Sequence, residues 1–152
     1  MITERVRSLL DKNAIKYAVI QHSPAFTAHE IAASAHIAGK ELAKTVIVRI
    51  ADKMAMVVLP ASKRVSIDEL QKIVGIANVR LAHEQEFDNL FADCEPGAMP
   101  PFGQLYGLDV YVHEELTHDK RIAFNAGSHT ELVQMAYTDF ERLAHPKVMA
   151  TA

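Results

Sequence analysis

A glycine, a hydroxyl and an imidazole follow one another at Gly127-Ser128-His129, inside the otherwise apolar run F-N-A-G-S-H-T-E-L-V-Q-M of residues 124–135. The two polar side chains are sequence neighbours. In extended backbone they project to opposite faces, so Ser128 and His129 do not read as a nucleophile and its base. No G-x-S-x-G elbow surrounds the serine. The single cysteine, Cys94, lies between Asp93 and Glu95, whose charges disfavour a thiolate. Eight histidines invite a metal, yet no H-E-x-x-H or C-x-x-C spacing occurs, and His29 and His36, seven apart on one helical face, are too few for a site. The phosphate-binding patterns G-x-x-x-x-G-K-S/T and G-x-G-x-x-G are also missing. No cofactor is expected.

Two other features carry chemical interest. In A-K-T-V-I-V-R-I-A (43–51), period-2 alternation places Lys44 on one face with Val46, Val48 and Ile50, and Thr45 and Arg49 on the other with Ile47. A lysine there either snorkels from a strand end into water or stands at a pocket mouth as a fixed cation for a phosphate or carboxylate. The segment C-E-P-G-A-M-P-P-F-G-Q-L-Y-G (94–107) concentrates three of the six glycines and three of the six prolines. Loops beyond about 12–15 residues are usually functional or disordered. Met99, Phe102, Leu105 and Tyr106 supply apolar anchors and the prolines restrict the unfolded chain, so order is expected, in a shaped loop or in a stiff connection.

The elements that must position these residues alternate between helix and strand. Residues 3–13 carry Val6, Leu9 and Leu10 at helical spacing, and 16–21 read as a short strand. S/T-x-x-E capping boxes at Thr27/Glu30, Ser66/Glu69 and Thr138/Glu141 mark three helix starts. The β-branched runs 45–51 and 54–61 flank a turn at Asp52-Lys53 and predict a hairpin, and 108–116, 121–126 and 130–137 predict three more strands, with antiparallel pairing favoured by their short connections. A helix-like H-E-Q-E-F-D-N-L-F precedes the Gly/Pro loop. With 152 residues, 49% of them hydrophobic and 23% charged, the chain fits one domain spanning 1–152 with a sizeable core. The formal net charge of −3 excludes coating long nucleic acid by charge alone, while local phosphate contacts stay open. No apolar run reaches the roughly 20 residues of a membrane span. The N-terminus reads as an amphipathic helix rather than a signal peptide, so a cytoplasmic protein is expected.

Taken together, A-K-T-V-I-V-R around Lys44, G-A-M-P-P-F-G at 97–103, F-N-A-G-S-H-T-E-L-V-Q-M-A-Y-T-D-F from Phe124 and T-A-H-E-I-A at 27–32 resemble the YbaK/prolyl-tRNA synthetase-associated editing domains over nearly the whole chain. The resemblance implies an α/β (α+β) fold with a mixed, mostly antiparallel, barrel-like sheet flanked by helices. It implies a freestanding aminoacyl-tRNA deacylase that hydrolyses the ester of a mischarged tRNA, tRNA-Pro or a related one, with the 3' end of that tRNA as partner, a prolyl-tRNA synthetase as a further partner, and a monomeric state. Matched residue by residue, the site comprises Lys44, Gly97, Pro101, Gly127, Ser128 and His129, with Phe26, Thr27, Met99, Pro100, Phe102 and Leu105 shaping the substrate pocket. Lys44 would meet the phosphate beside the terminal adenosine, and a ribose hydroxyl of the substrate would position the attacking water, which agrees with a chain lacking a triad. An activated ester is within reach of positioning and oxyanion stabilisation alone. The alternatives are a non-catalytic module binding the tRNA acceptor end or a nucleotide, and a metal-dependent hydrolase built on the histidines.

Overall fold

A threonine starts the first helix. In the computed structural model, which describes residues 2–22, 28–35 and 37–149 and omits the side chains of 28, 29, 31 and 34, Thr3 Oγ1 accepts the Val6 N–H at 3.2 Å. That cap opens α1 (Glu4–Lys12), with Glu4 in its first turn and Lys12 in its last, each complementing the helix dipole. Val6 and Leu10 bury its apolar face. There follow β1 (Tyr17–Gln21), α2 (Ala28–Ala35), β2 (Ala43–Ile50), β3 (Lys53–Pro60) and α3 (Ile67–Val74). Ser66 caps α3 through the Glu69 amide, and Gly75 ends it in the left-handed conformation at φ 68°. Next come β4 (Val79–Leu81), α4 (Glu84–Phe87), β5 (Asp109–His113), α5 (Glu114–Thr117), β6 (Arg121–Asn125), β7 (Glu131–Ala136), α6 (Tyr137–Ala144) and β8 (Lys147–Met149).

The strands form two sheets, ordered β4-β2-β3-β5-β8 and β1-β7-β6. The β2/β3 hairpin runs in register from Ala43 against Pro60 to Ile50 against Lys53, with Ala51 turning the chain at φ 56°. Pairing is antiparallel except where β5 runs parallel to β3 and β8 parallel to β5. The sheets do not close into a barrel; they meet at an isolated parallel bridge between Leu42 and Ala123. The expected mixed, mostly antiparallel architecture is therefore present in open form. Two local expectations need correction. β5 and β6 are not partners, because α5 intervenes and carries the chain from the five-stranded to the three-stranded sheet. α6 starts at Tyr137 with Ala136 as an uncapped N-cap, so Thr138 sits one residue inside the helix and the box with Glu141 does not form. The Thr27/Glu30 box lies outside the described residues.

The largest apolar cluster joins the inner faces of both sheets: Ile47, Met56, Val58 and Val112 from one, Phe124, Val133 and Met135 from the other, closed by Val6 and Leu10 of α1 and by Phe140 of α6. α3 covers the outer face of the larger sheet over Val48, Val57 and Leu59, and Ala35 at the end of α2 packs over Leu42, Ala123 and Leu132 of the smaller. The Gly/Pro loop belongs to the inner core. Phe102 is fully buried, with its ring 5.5 Å from Phe124 in an edge-to-face contact and 5.9 Å from Phe140. Such a ring removes 150–250 Å² from water and fixes its neighbours' geometry as well, by the usual aromatic scale. The loop is thereby bolted to the core through its middle. Phe102→Ala should cost about 3–5 kcal/mol, the usual penalty for deleting a buried ring. Urea unfolding checks this, and a loss under about 1 kcal/mol would mean that the loop is not held by its phenylalanine.

Candidate active site

Two turns are stitched to one another through their backbones. The turn between β6 and β7 presents Gly127 at φ 108°, and both its polar groups face the Gly/Pro loop: the Glu95 N–H donates to Gly127 O at 2.9 Å and the Gly127 N–H donates to Ala98 O at 2.8 Å. Asn125 fastens the turn from inside, its Nδ2 donating to Ser128 O at 2.8 Å. Ser128 is buried, and its Oγ accepts the Thr130 N–H at 3.2 Å and lies 3.1 Å from Thr130 Oγ1. Behind the turn stands the chain's beginning: the Thr3 N–H donates to Ala126 O at 2.9 Å, and a Cβ on Gly127 would collide with Thr3 Cγ2. Only glycine satisfies both that close approach and the positive φ.

His129 completes the stitching from the exposed side. Its amide donates to Glu95 Oε2 at 2.9 Å, and its ring Nε2 pairs with the carbonyl of Pro96, an acceptor, which makes Nε2 the protonated nitrogen. Gly97, at φ 83°, lies under this imidazole, with 3.4 Å between a notional Cβ and His129 Cε1. The imidazole is thus a brace between the turns. Among the described residues, the amides of Gly97 and Ser128 have no acceptor. Together with the amides of Ala126 and Met99, which likewise have no acceptor there, they are donors of the kind that backbone concavities offer to an anionic oxygen.

Lys44 stands at the seam between the sheets. The Leu42–Ala123 bridge is parallel, so Lys44 and Asn125 each stand two residues beyond the bridged pair. Side chains alternate along strands, so both share the outer face on which Leu42 and Ala123 pack. Half-buried Lys44 has no carboxylate at ion-pair distance among the described residues. Burial lowers its pKa from the ordinary lysine value and the nearby Arg64 charge lowers it further. An ammonium so placed gains from an incoming anion more than a solvated one does.

The remaining sequence candidates divide. Met99, Pro100 and Pro101 are buried in the loop, and Gly97 and Met99 line a cavity of about 110 Å³ with Phe87, Phe91 and Cys94. Phe102 leaves no surface for a ligand and acts from within the core. Leu105 is half-buried in the following 3-10 turn, its carbonyl accepting from Arg5 at 3.3 Å. Phe26 and Thr27 lie outside the described residues. Sequence reasoning passed over Thr3, Glu95 and Asn125, whose partners are remote or are backbone atoms that no motif spacing displays. Among the described residues no three histidine, cysteine or acidic side chains stand together as a metal site. Cys94 is half-buried, with its Sγ 3.7 Å from Tyr106 Oη and 3.6 Å from Asp93 Oδ1. Burial, more than the Asp93 charge, pushes the thiol up to about 11.

An open two-sheet α/β frame with a glycine-built, backbone-lined site at its seam defines the class. A family model for the aminoacyl-tRNA editing domain matches residues 22–143, and the chain belongs to that family. Among solved structures, the hypothetical protein APE2540 superposes with a TM-score of 0.83 at 24% identity, covering 97% of each chain. A protein described as a candidate trans-editing enzyme for prolyl-tRNA synthetase superposes with a TM-score of 0.81 at 19% identity, over 95% of this chain and 92% of that one. A candidate signal transduction protein from Marinobacter aquaeolei VT8 matches 97% of this chain with 30% of its own, at a TM-score of 0.76 and 16% identity. These likenesses speak for the fold. A comparison with curated proteins gives no match.

A thiol held near 11 leaves on the order of one molecule in a thousand as thiolate at pH 8, against about a quarter for an unperturbed cysteine near 8.5. Alkylation of native Cys94 at pH 8 should therefore run on the order of a hundredfold slower than in the urea-unfolded chain, and should accelerate tenfold per pH unit up to its pKa. Equal rates in the two states would show that the buried position does not suppress the thiolate.

Proposed function

We propose that this editing domain is a deacylase that hydrolyses the ester of mischarged aminoacyl-tRNA in the cytoplasm. The observation that carries the reading is the pair of stitched turns, whose Gly97 and Ser128 amides have no acceptor among the described residues, together with a seam lysine that has no carboxylate beside it among them. In this reading Lys44 receives the phosphate beside the terminal adenosine, and Gly97 and Ser128 direct their N–H groups at the ester carbonyl. A water, positioned by a ribose hydroxyl of the substrate, adds to that carbonyl carbon. Negative charge grows on the carbonyl oxygen, where fixed amide dipoles stabilise it without having to reorganise. The C–O bond to the ribose then breaks, the ribose oxygen takes a proton, and a free amino acid and an intact tRNA leave. No side-chain nucleophile enters. His129 and Glu95 hold the two turns at the spacing the carbonyl needs.

The deciding experiment is a panel of mischarged tRNAs incubated with purified protein. The expected result is catalytic release of at least one amino acid, undiminished by a chelator. Binding without turnover would instead assign an acceptor-end binding module, and loss of activity to chelator would assign a metal hydrolase.

Two further outcomes follow from the same chemistry. Lys44→Ala should lower kcat/KM about 10- to 100-fold, the range of one charge-assisted phosphate contact, with the unfolding midpoint nearly unchanged because the residue contributes little packing. Wild-type activity in that variant would remove Lys44 from the site. The net charge of −3 leaves no extended basic track for RNA. Hydrolysis should accordingly fall shallowly with salt, with a logarithmic slope of about −1 to −2, and an aminoacyl minihelix should be cleaved nearly as well as whole tRNA. A steep slope with a poorly cleaved minihelix would reveal an extended footprint or a partner synthetase.

A further inference from the structure

A second cavity, of about 340 Å³, opens on the outer face of the larger sheet beside the start of β2. Leu59, on its wall, is the cross-strand partner of Lys44, so cavity and lysine share one face of the hairpin. Val57, Leu59 and Val65 give it an apolar floor, and Lys63 and Arg64 stand on its rim. Lys63 is engaged by Glu115 at 3.1 Å, whereas Arg64 has no acidic partner among the described residues. Two polar side chains complete the wall. His113 is only 8% exposed; its Nδ1 accepts the Glu115 N–H at 3.1 Å, which leaves Nε2–H as a donor without an acceptor among the described residues. Glu69 also lines the cavity, and its carboxylate has no recorded partner there either; its backbone N–H, not its side chain, serves the cap of α3.

An apolar slot with an imidazole donor, a carboxylate acceptor, the Ser66 hydroxyl beside them and, among the described residues, an unpaired cation at the rim suits a nucleotide whose base carries an amino group next to a ring nitrogen. Resting on the editing reading above, we infer that this cavity takes the nucleoside preceding the terminal adenosine, which in tRNA is a cytidine: Glu69 accepts from its N4 amino group, His113 Nε2–H donates to N3, the base lies on Val57 and Leu59, and Arg64 joins Lys44 on the one phosphate between the two nucleosides. Carboxylates accept from cytosine N4 by simple donor–acceptor matching. Uracil reverses both positions, presenting O4 as an acceptor and N3–H as a donor, and so sets a carbonyl oxygen against the Glu69 carboxylate. Burial keeps His113 below the ordinary histidine pKa, so at neutral pH it is neutral with a single ring N–H, and Nδ1 is already committed as an acceptor. The editing site would thus read two nucleotides: the aminoacylated one at the stitched turns, and its neighbour in the cavity on the far side of β2.

The test uses uncharged minihelices ending in C-C-A or C-U-A, with Kd measured by fluorescence anisotropy, and the same pair aminoacylated for hydrolysis. The full-length protein should bind the C-C-A tail about 10- to 100-fold more tightly, the usual range for a matched base edge. Glu69→Gln, whose amide both donates and accepts, should bring the two tails within about threefold without unfolding the protein. Arg64→Ala, at an exposed position, should weaken both tails equally and preserve their ratio. Equal binding of the two tails by the unaltered protein, or discrimination that survives Glu69→Gln, overturns the subsite. Discrimination in binding without turnover of either charged minihelix supports the subsite and overturns the deacylase reading, so the two failures are separable.

Discussion

The reciprocal amide pair, Glu95 N–H to Gly127 O and Gly127 N–H to Ala98 O, governs the rest of the site. Both bonds use main-chain groups of short connections, which would otherwise look to water for partners. Making them internal commits the β6–β7 turn to one position against the Gly/Pro loop, and the conformation required is one that Gly127 alone can adopt. Everything else near the turns is arranged around that commitment. Thr3 closes the space above Gly127 and ties α1 to Ala126; Asn125 fills the turn's interior; His129 and Glu95 lock the solvent side. With Gly127 N–H consumed, the amides without an acceptor among the described residues belong to its neighbours, Gly97 and Ser128 among them, and not to the conspicuous glycine.

Rigidity of this kind needs a foundation, and the two faces of the larger sheet divide the labour. Its inner face builds the aromatic core in which Phe102 anchors the loop carrying Gly97. Its outer face carries what is left unpaired: Lys44, Arg64, and the cavity lined by His113 and Glu69. β2 connects them because it is the one strand to leave the small sheet's edge, at Leu42, and enter the large sheet, at Ala43. A one-residue slip of β2 would exchange its faces, burying Lys44 in the core and expelling Ile47. The strand's alternation therefore fixes the register on which both the core and the cationic seam rely.

Much of this was legible in the sequence, and the parts that were not share a cause. The period-2 pattern of 43–51 placed Lys44 among Val46, Val48 and Ile50, and the apolar anchors of 94–107 announced an ordered loop. Local signals sufficed there. The pairing of β5 with β3 rather than β6 was not legible, because α5 is a single helical turn too short to show a helical period and the sequence looks like one strand running on. β8, three residues long, gave no strand signal at all. Glu95 and Asn125 were invisible for a different reason: their partners are backbone atoms or residues more than thirty positions away, and such bonds follow from the fold rather than from any spacing. The Thr138 box failed because the chain enters α6 directly from β7, so the helix starts before the threonine.

The electrostatics of the seam bear on what the site is for. Lys44 and Arg64 face one another's fields across the β2/β3 hairpin, and desolvation already disfavours the lysine's charge. Solvent screens the exposed guanidinium, so this repulsion is modest, but it adds to the desolvation cost. A protein with nineteen acidic residues had ample means to neutralise such a pair, as it does for Arg80, which Glu86 holds at 2.7 Å, and for Lys63 with Glu115. Among the described residues it does so at its structural ion pairs and not at Lys44. An uncompensated pair is costly when empty and favourable when a phosphodiester arrives, because the anion relieves the repulsion and meets donors that need no rearrangement. The small net negative charge of the whole chain acts in the same direction, since it opposes a polyanion over the surface at large while unpaired cations favour one locally.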